Sequence, residues 1–244
     1  MLLAAIAVGA IVVAPVMAQD SPESQDLPDT DLSASAKATP SKAGTKSNPQ
    51  GATITASAKI VTEPGFDPPI VTGVDLLVGK GLSWNGGNYV QCSKRALDRE
   101  GPKGCPKESI MGNAIATARA DTVNTHIDIV FVNAGSKRLF AYATLENPAR
   151  VQETVVVKTT NMTGQWHYKD SFRVPKSLQV VAGVPIQVTG IKLKLGGKPY
   201  AKGYITSTSC PKGGWKYRAT AHYLFDLSGQ TTEDTTTGTI SCTP

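Results

Sequence analysis

Beyond residue 50, apolar and polar side chains alternate with a period of two, the spacing at which successive side chains of a strand point to opposite faces of a sheet. The clearest run is 215–225. Trp215, Tyr217, Ala219, Ala221, Tyr223 and Phe225 fall on one face, and Lys216, Arg218, Thr220 and His222 on the other. Residues 52–61, ATITASAKIV, alternate almost as cleanly. Shorter runs at 74–78, 114–120, 127–132, 138–144, 151–159, 178–181, 186–195, 200–206 and 238–242 predict further strands. Turn formers separate them, among them Asn85-Gly86-Gly87-Asn88, Asn133-Ala134-Gly135, Leu195-Gly196-Gly197 and Ser228-Gly229. Only 93–100 reads as helical, with Ser93 as its N-cap, and there is no repeat of 20 to 50 residues. The pattern predicts an all-β fold over 51–244. We expect a single antiparallel β-sandwich of ten or eleven strands, immunoglobulin-like or jelly-roll-like, with one short helix.

Two stretches before residue 51 lack this alternation. Residues 1–18, MLLAAIAVGAIVVAPVMA, are uncharged and almost wholly apolar, and they end in the small-x-small pattern Val16-Met17-Ala18. They read as a secretory signal peptide cut after Ala18, although no Lys or Arg precedes the apolar run. An uncleaved membrane anchor is the alternative. Gly9 and Pro15 interrupt the run, which is at the short edge of the roughly 17–25 residues that span a bilayer. Residues 19–50 are rich in Ser, Ala, Pro, Asp and Lys, with too little apolar surface to offset the entropy of ordering, and are expected to be a disordered spacer.

Export agrees with four cysteines, an even number that pairs in an oxidising compartment. Three pairings are possible. The economical one joins Cys92 to Cys105 and Cys210 to Cys242, each bridge closing a polar, Gly-rich or Thr-rich segment. On the chain-entropy argument the shorter loop contributes about 3 kcal/mol and the longer somewhat more. A redox role is not expected, because no Cys-x-x-Cys places two thiols on one turn.

Composition narrows the function classes. Of 244 residues 18% are charged and 6% aromatic, and 23 Gly with 16 Pro argue against a helical bundle. The formal charge is +6, but Asp20, Glu23, Asp26, Asp29 and Asp31 all lie in the expected spacer. The chain after Asp31 carries 25 basic and 14 acidic residues, so the folded part is more basic than the total suggests. Three histidines, none clustered with cysteine, offer little for a zinc site. No Gly-x-Ser-x-Gly elbow, freed cysteine or phosphate-cradling glycine loop is present, and His126, His167 and His222 read as surface or rim residues. Asp75, Asp121, Asp128, Glu146, Glu153 and Asp226 could supply paired carboxylates for glycoside hydrolysis, but their spacing shows no convergent pair. The segment from Asp121 through Asn124 and His126 to Asp128 offers oxygen ligands for calcium without the fixed pattern of a calcium loop, and a polar hairpin explains it more simply. No catalytic constellation and no cofactor are expected.

Two features favour binding. Trp84, Trp166 and Trp215, with Tyr168, Tyr217 and Tyr223, could stack on sugars, although burial in the core is the favoured reading. Lys94, Arg95, Arg99, Lys103 and Lys107 cluster near the first disulfide. Lys192, Lys194, Lys198 and Lys202 form a second group, in which Lys192 and Lys194 share a face by period two. Such patches suit an anionic wall polymer or polysaccharide through screened long-range attraction. Nucleic acid is not expected as the partner of an exported protein, and no stable membrane span is expected after signal cleavage.

Several strings also appear as a set: Ala43-Gly44-Thr45-Lys46, Pro64-Gly65-Phe66-Asp67-Pro68-Pro69, Cys92-Ser93-Lys94, Gly101-Pro102-Lys103-Gly104-Cys105-Pro106-Lys107 followed by Ser109-Ile110-Met111-Gly112, Asn147-Pro148-Ala149-Arg150, and Val174-Pro175-Lys176. Over roughly residues 43–242 the chain resembles a group of uncharacterised secreted β-rich proteins of high-GC Gram-positive bacteria. The resemblance implies an envelope or extracellular location and carries no chemistry with it. The reading is a secreted, non-enzymatic cell-envelope or extracellular binding protein. A polysaccharide-active hydrolase or lyase, or a carbohydrate-binding module, is the alternative.

Overall fold

The computed structural model describes residues 27–200, 202–225 and 229–244. The expected signal peptide, the first part of the expected spacer and Asp226 lie outside the described residues. Fourteen strands follow in order: β1 (Thr30–Thr39), β2 (Gln50–Thr62), β3 (Ile70–Gly79), β4 (Leu82–Trp84), β5 (Ile110–Ala120), β6 (Val123–Asn133), β7 (Arg138–Leu145), β8 (Val151–Asn161), β9 (Trp166–Arg173), β10 (Val180–Val181), β11 (Val184–Leu195), β12 (Ile205–Ser207), β13 (Trp215–Phe225) and β14 (Gln230–Ile240). Helix α1 (Lys94–Glu100) lies between β4 and β5, and a single helical turn, α2 (Lys176–Gln179), precedes β10.

The fold is all-β and antiparallel, as the alternation predicts. The strands hydrogen-bond in the order β14-β13-β3-β9-β8-β7-β6-β5-β11-β2-β12-β4, with β1 paired to β2 and β10 to β11. One continuous sheet supplies both layers by folding over, so that inner faces from its two halves meet. Leu32 of β1, with Ala58 of the neighbouring β2 and Val188 of β11, packs against Val71 of β3 and Ala221 and Tyr223 of β13 from the opposite layer. Nearer the other end, Ile54, Met111 and Ile205 pack against Trp215, Tyr217 and Ile240.

Both disulfides join the cysteines that the economical pairing selects, Cys92 to Cys105 and Cys210 to Cys242. Ser93 caps α1, its hydroxyl accepting from the Ala96 backbone N–H at 3.2 Å. The helix sits on the outer face of the sheet and buries Leu97 completely against Val132, Phe140 and Tyr142, a contact that contributes about 2 kcal/mol. The bridge therefore clamps the loop to the sheet.

The largest correction concerns the expected spacer over 19–50. Residues Thr30–Thr39 form β1, paired along their whole length with β2, and Ala43 N–H donates to the Thr243 carbonyl at 2.8 Å, stitching the following connection to the C-terminal segment. Leu32, Ala34, Ala36 and Ala38 alternate with polar residues. Their small volumes kept composition low in apolar surface while the pleat still turned all four inward.

Four further differences have local causes. Of 178–181 only Val180 and Val181 are strand, because Pro175 starts the helical turn before them. Of the described residues within 200–206 only the last two join β12, because Gly203 adopts φ +93°. Strand β14 extends back from 240 to Gln230, since threonine's branched side chain fits the pleated sheet. Strand β9, which the pattern missed, places the charged Asp170 in line with Trp166, Tyr168 and Phe172, which interrupts the alternation.

Candidate functional site: a basic sheet face and strand end

Strand register places four lysines on one outer face of the adjacent strands β1, β2, β11 and β5. Thr55 of β2 lies opposite Lys37 of β1 on one side and Lys194 of β11 on the other, and Lys194 in turn lies opposite Asn113 of β5. In the next same-face row Ser57 lies between Ser35 and Lys192, with Ile115 beyond it. Lys59, opposite Ser33, continues the set. Lys192 and Lys194 are about 7 Å apart along the strand, and Lys37 is two strand spacings, about 10 Å, from Lys194. These separations are comparable with the screening length of about 8 Å at physiological salt, so the charges act together. Hydroxyls of Ser33, Ser35, Thr55 and Ser57 interleave with them. None of the four lysines is ion-paired among the described residues. The same-face carboxylates are Asp31 at the far end of β1 and Asp128 of β6, whose oxygen lies 3.7 Å from His126 Nε2.

The face runs into a basic end. Lys42 and Lys46 lie between β1 and β2, Lys80 between β3 and β4, Lys137 between β6 and β7, and Lys198, Lys202 and Lys212 between β11 and β13. No carboxylate lies in any of these connections. The opposite end carries Asp29, Glu63, Asp67, Asp121 and Glu146 against Arg150 and Lys176. Because antiparallel connections alternate between the two ends, bases and acids that interleave along the chain largely separate in space; the β4–β5 connection is the exception, returning to the basic end with Asp98, Glu100 and Glu108 among its bases.

The other predicted basic cluster is partly neutralised by its own helix. Lys94 Nζ lies 2.7 Å from Asp98, and Arg99 pairs with Glu100. Arg95, Lys103 and Lys107 stay exposed. Lys37 and Lys59 were missed. Lys59 could have been found, since it shares the polar face of the 52–61 run with Thr53, Thr55 and Ser57. Lys37 lay hidden in the expected spacer.

The three tryptophans do not form a stacking platform. Trp215 is fully buried, its Nε1 donating to the Ser209 carbonyl at 2.8 Å. Trp84 stacks on Tyr168 with centroids 6.0 Å apart and donates to Asp170 at 3.0 Å. Trp166 is half-buried, with the Arg218 guanidinium 5.5 Å from its ring centroid. The oxygen-rich segment 121–128 is the β5–β6 hairpin: Asp121 turns at φ +56°, and Asn124, His126 and Asp128 follow one another along β6 without converging.

Two carboxylates do converge, on the outer face of the other layer. His222 Nε2 lies 3.2 Å from Asp75 Oδ2 and its Nδ1 lies 3.1 Å from Glu233 Oε2, beside an open depression of about 500 Å³ that Arg173 also lines. The imidazole occupies the space between the two acids, where a glycosidic bond would have to lie. Burial alone would push the Asp75 carboxyl up, but hydrogen bonds from Lys169 and His222 and the charges of Lys169 and Arg173 outweigh it and hold it below the ordinary carboxylate value. An acid held ionised in this way cannot donate a proton to a leaving group near neutrality.

Asp170 shows the reverse balance. Burial raises its pKa despite hydrogen bonds from Thr159 and Trp84. Its contribution to stability is full below the ordinary carboxylate value of 3.8 and is lost as pH rises through the raised folded value. Asp170→Asn keeps an acceptor for Trp84 and turns the Thr159 hydroxyl into an acceptor. We expect the variant to melt higher than the native protein at pH 7, with the difference vanishing below about pH 4; an unchanged or lower melting temperature at pH 7 in calorimetry would contradict this. No protein family, curated protein or solved structure matches the chain.

Proposed function

We propose that this is an exported, non-enzymatic cell-envelope or extracellular protein that binds an anionic polymer through its lysine-rich sheet face and the adjoining strand end. The carrying observation is the set Lys37, Lys59, Lys192 and Lys194, gathered from three strands onto one face without a carboxylate partner among the described residues. Two disulfides suit an oxidising compartment, and among the described residues no helix is long and apolar enough to cross a membrane.

Exposed lysines act as point charges and impose no bidentate geometry, so such a surface selects for charge density and not for one sugar or head group. Each contributes on the order of 1 kcal/mol against an anionic surface. Neutralising Lys192 and Lys194 together, as Lys192→Gln and Lys194→Gln, should weaken binding to purified anionic wall polymer roughly 30-fold at low salt, about 2 kcal/mol on that scale. Thermal stability should stay within about 0.5 kcal/mol, as for exposed substitutions generally. Binding that is unaffected by the pair, or that does not weaken as salt is raised from 50 to 300 mM on the order expected for screened charges, would refute the reading.

A further inference from the structure

The connection after β11 extends the basic face into a track. Gly196 and Gly197, at φ +72° and +69°, turn the chain sharply, and the Gly196 N–H donates to the Met111 carbonyl at 2.8 Å. A side chain at Gly197 would collide with Thr53 of β2, so the turn is pressed against the sheet. Tyr200 Oη then hydrogen-bonds Asn113 Oδ1 at 2.9 Å, and Asn113 is the residue opposite Lys194. The next anchor is Tyr89, whose hydroxyl donates to the Lys202 carbonyl at 2.6 Å. Lys198 and Lys202 are therefore held beside the face. From Lys59, opposite Gly190, past Lys192 to Lys194 is about 13 Å along β11. The tied connection carries the line of positive charge on over the strand end, with no carboxylate in it.

We propose that Lys59, Lys192, Lys194, Lys198 and Lys202 form one track for a linear polyanion with a charge at about every 5–7 Å, engaging four or five charges together, and that compact anions are not held. This rests on reading the basic face as a binding surface. A single exposed ion pair is worth about 1 kcal/mol or less in water, so one phosphate or carboxylate on this flat face binds too weakly to persist. A chain that meets five lysines adds the contacts within one molecule, where each later contact forms at high effective concentration. Phosphodiester chains and polyuronates meet this spacing with every unit, and polyphosphate, whose phosphates lie closer together, meets it with every second one.

The test uses the full chain and titrates orthophosphate, tripolyphosphate, inorganic polyphosphates of about 10 and 50 units, and polygalacturonate, each at several salt concentrations. The expected result is no measurable binding of orthophosphate or tripolyphosphate and at least 100-fold tighter binding at 10 units. Beyond 10 units, affinity should grow only in proportion to the number of places the protein can sit. Binding of polyphosphate alone, or of polygalacturonate alone, assigns the source within the same chemistry. Lys198→Gln with Lys202→Gln should flatten the log K against log salt slope by about 1.4, at roughly 0.7 per contact as for a single-stranded polyanion. Tyr200→Phe should lower affinity several-fold with melting temperature unchanged. Equal binding of tripolyphosphate and long chains, or a salt slope unchanged in the Lys198 and Lys202 variant, overturns the track while leaving the basic face intact. Failure of every soluble chain to bind removes both. Binding only to vesicles containing 30% anionic lipid would transfer the surface to a membrane and overturn the proposal.

Discussion

Gly238→Ala is expected to destabilise the protein by about 3–5 kcal/mol, a large effect for one methyl group. Strand β1 forms a backbone ladder with β2 alone, yet its other edge lies alongside β14. Side chains close that seam. Leu32 N–H donates to the Asp234 carboxylate, and Tyr217 Oη donates to the Ala34 carbonyl at 2.8 Å. Tyr217 stands directly opposite Gly238, and its phenol crosses the space that a β-carbon at 238 would fill, overlapping the hydroxyl and lying 2.8 Å from Cε1. Alanine must displace the ring. Displacement gives up burial of an aromatic side chain, worth about 3–5 kcal/mol when lost outright, and leaves the Ala34 carbonyl without its donor, a further cost of about 1–3 kcal/mol; relaxation recovers part of the total. Tyr217→Phe should cost only about 1 kcal/mol, because it removes the hydrogen bond and keeps the ring. In a double-mutant cycle Tyr217→Leu should absorb much of the Gly238→Ala penalty, since the two residues share one volume. Urea denaturation of the oxidised protein measures all four. A Gly238→Ala cost no larger than that of Tyr217→Phe would show that the ring does not occupy this space.

The second large effect falls on Asn133, which is fully buried at the end of β6. Its Nδ2 is within hydrogen-bonding distance of the carbonyls of Gly86 at 2.9 Å, Val90 at 3.0 Å and Tyr89 at 3.1 Å, and its Oδ1 accepts from Gly135 N–H at 3.2 Å. The backbone of the same residue accepts from Cys92 N–H at 3.0 Å. One amide thus holds the segment leading into the first disulfide against the sheet. Asn133→Ala leaves these carbonyls buried and unpaired and should cost about 3 kcal/mol. Asn133→Asp keeps the shape but turns the donor into an acceptor facing three carbonyls, so it should cost more than alanine despite being isosteric. Hydrogen exchange over residues 85–105 should rise in both variants before the strands unfold. An aspartate variant more stable than the alanine variant would invert the expected order and remove the amide from this role.

Much of this architecture was legible from period two alone. The 215–225 run gave its face assignment correctly because Trp215, Tyr217, Tyr223 and Phe225 are large and the intervening residues polar, so each step of the pleat carried a strong contrast. The same contrast failed in β1, where Ala34, Ala36 and Ala38 bury little area each, and in β9, where Asp170 sits on the inward face with its charge met by Trp84 and Thr159. Asn133 belonged to a recognised turn signal, but which carbonyls its amide would reach depends on a segment forty residues earlier. Likewise Gly238 read as one glycine in a threonine-rich stretch until Tyr217 was placed across it.

The candidate surface divides along the same line. Local pattern determined the all-β class, the short capped helix, the pairing of neighbouring cysteines and the shared face of Lys192 and Lys194, because each depends on residues within a few positions or on one loop closure. The tertiary structure alone decided that Lys37 and Lys59 join that face, that Tyr200 and Tyr89 bring Lys198 and Lys202 to its rim, and that most turn lysines gather at one end while most turn carboxylates gather at the other. Strand order in an antiparallel sheet is set by long-range register, and every second connection returns to the same end, so charges evenly mixed along the chain are sorted only when the chain folds.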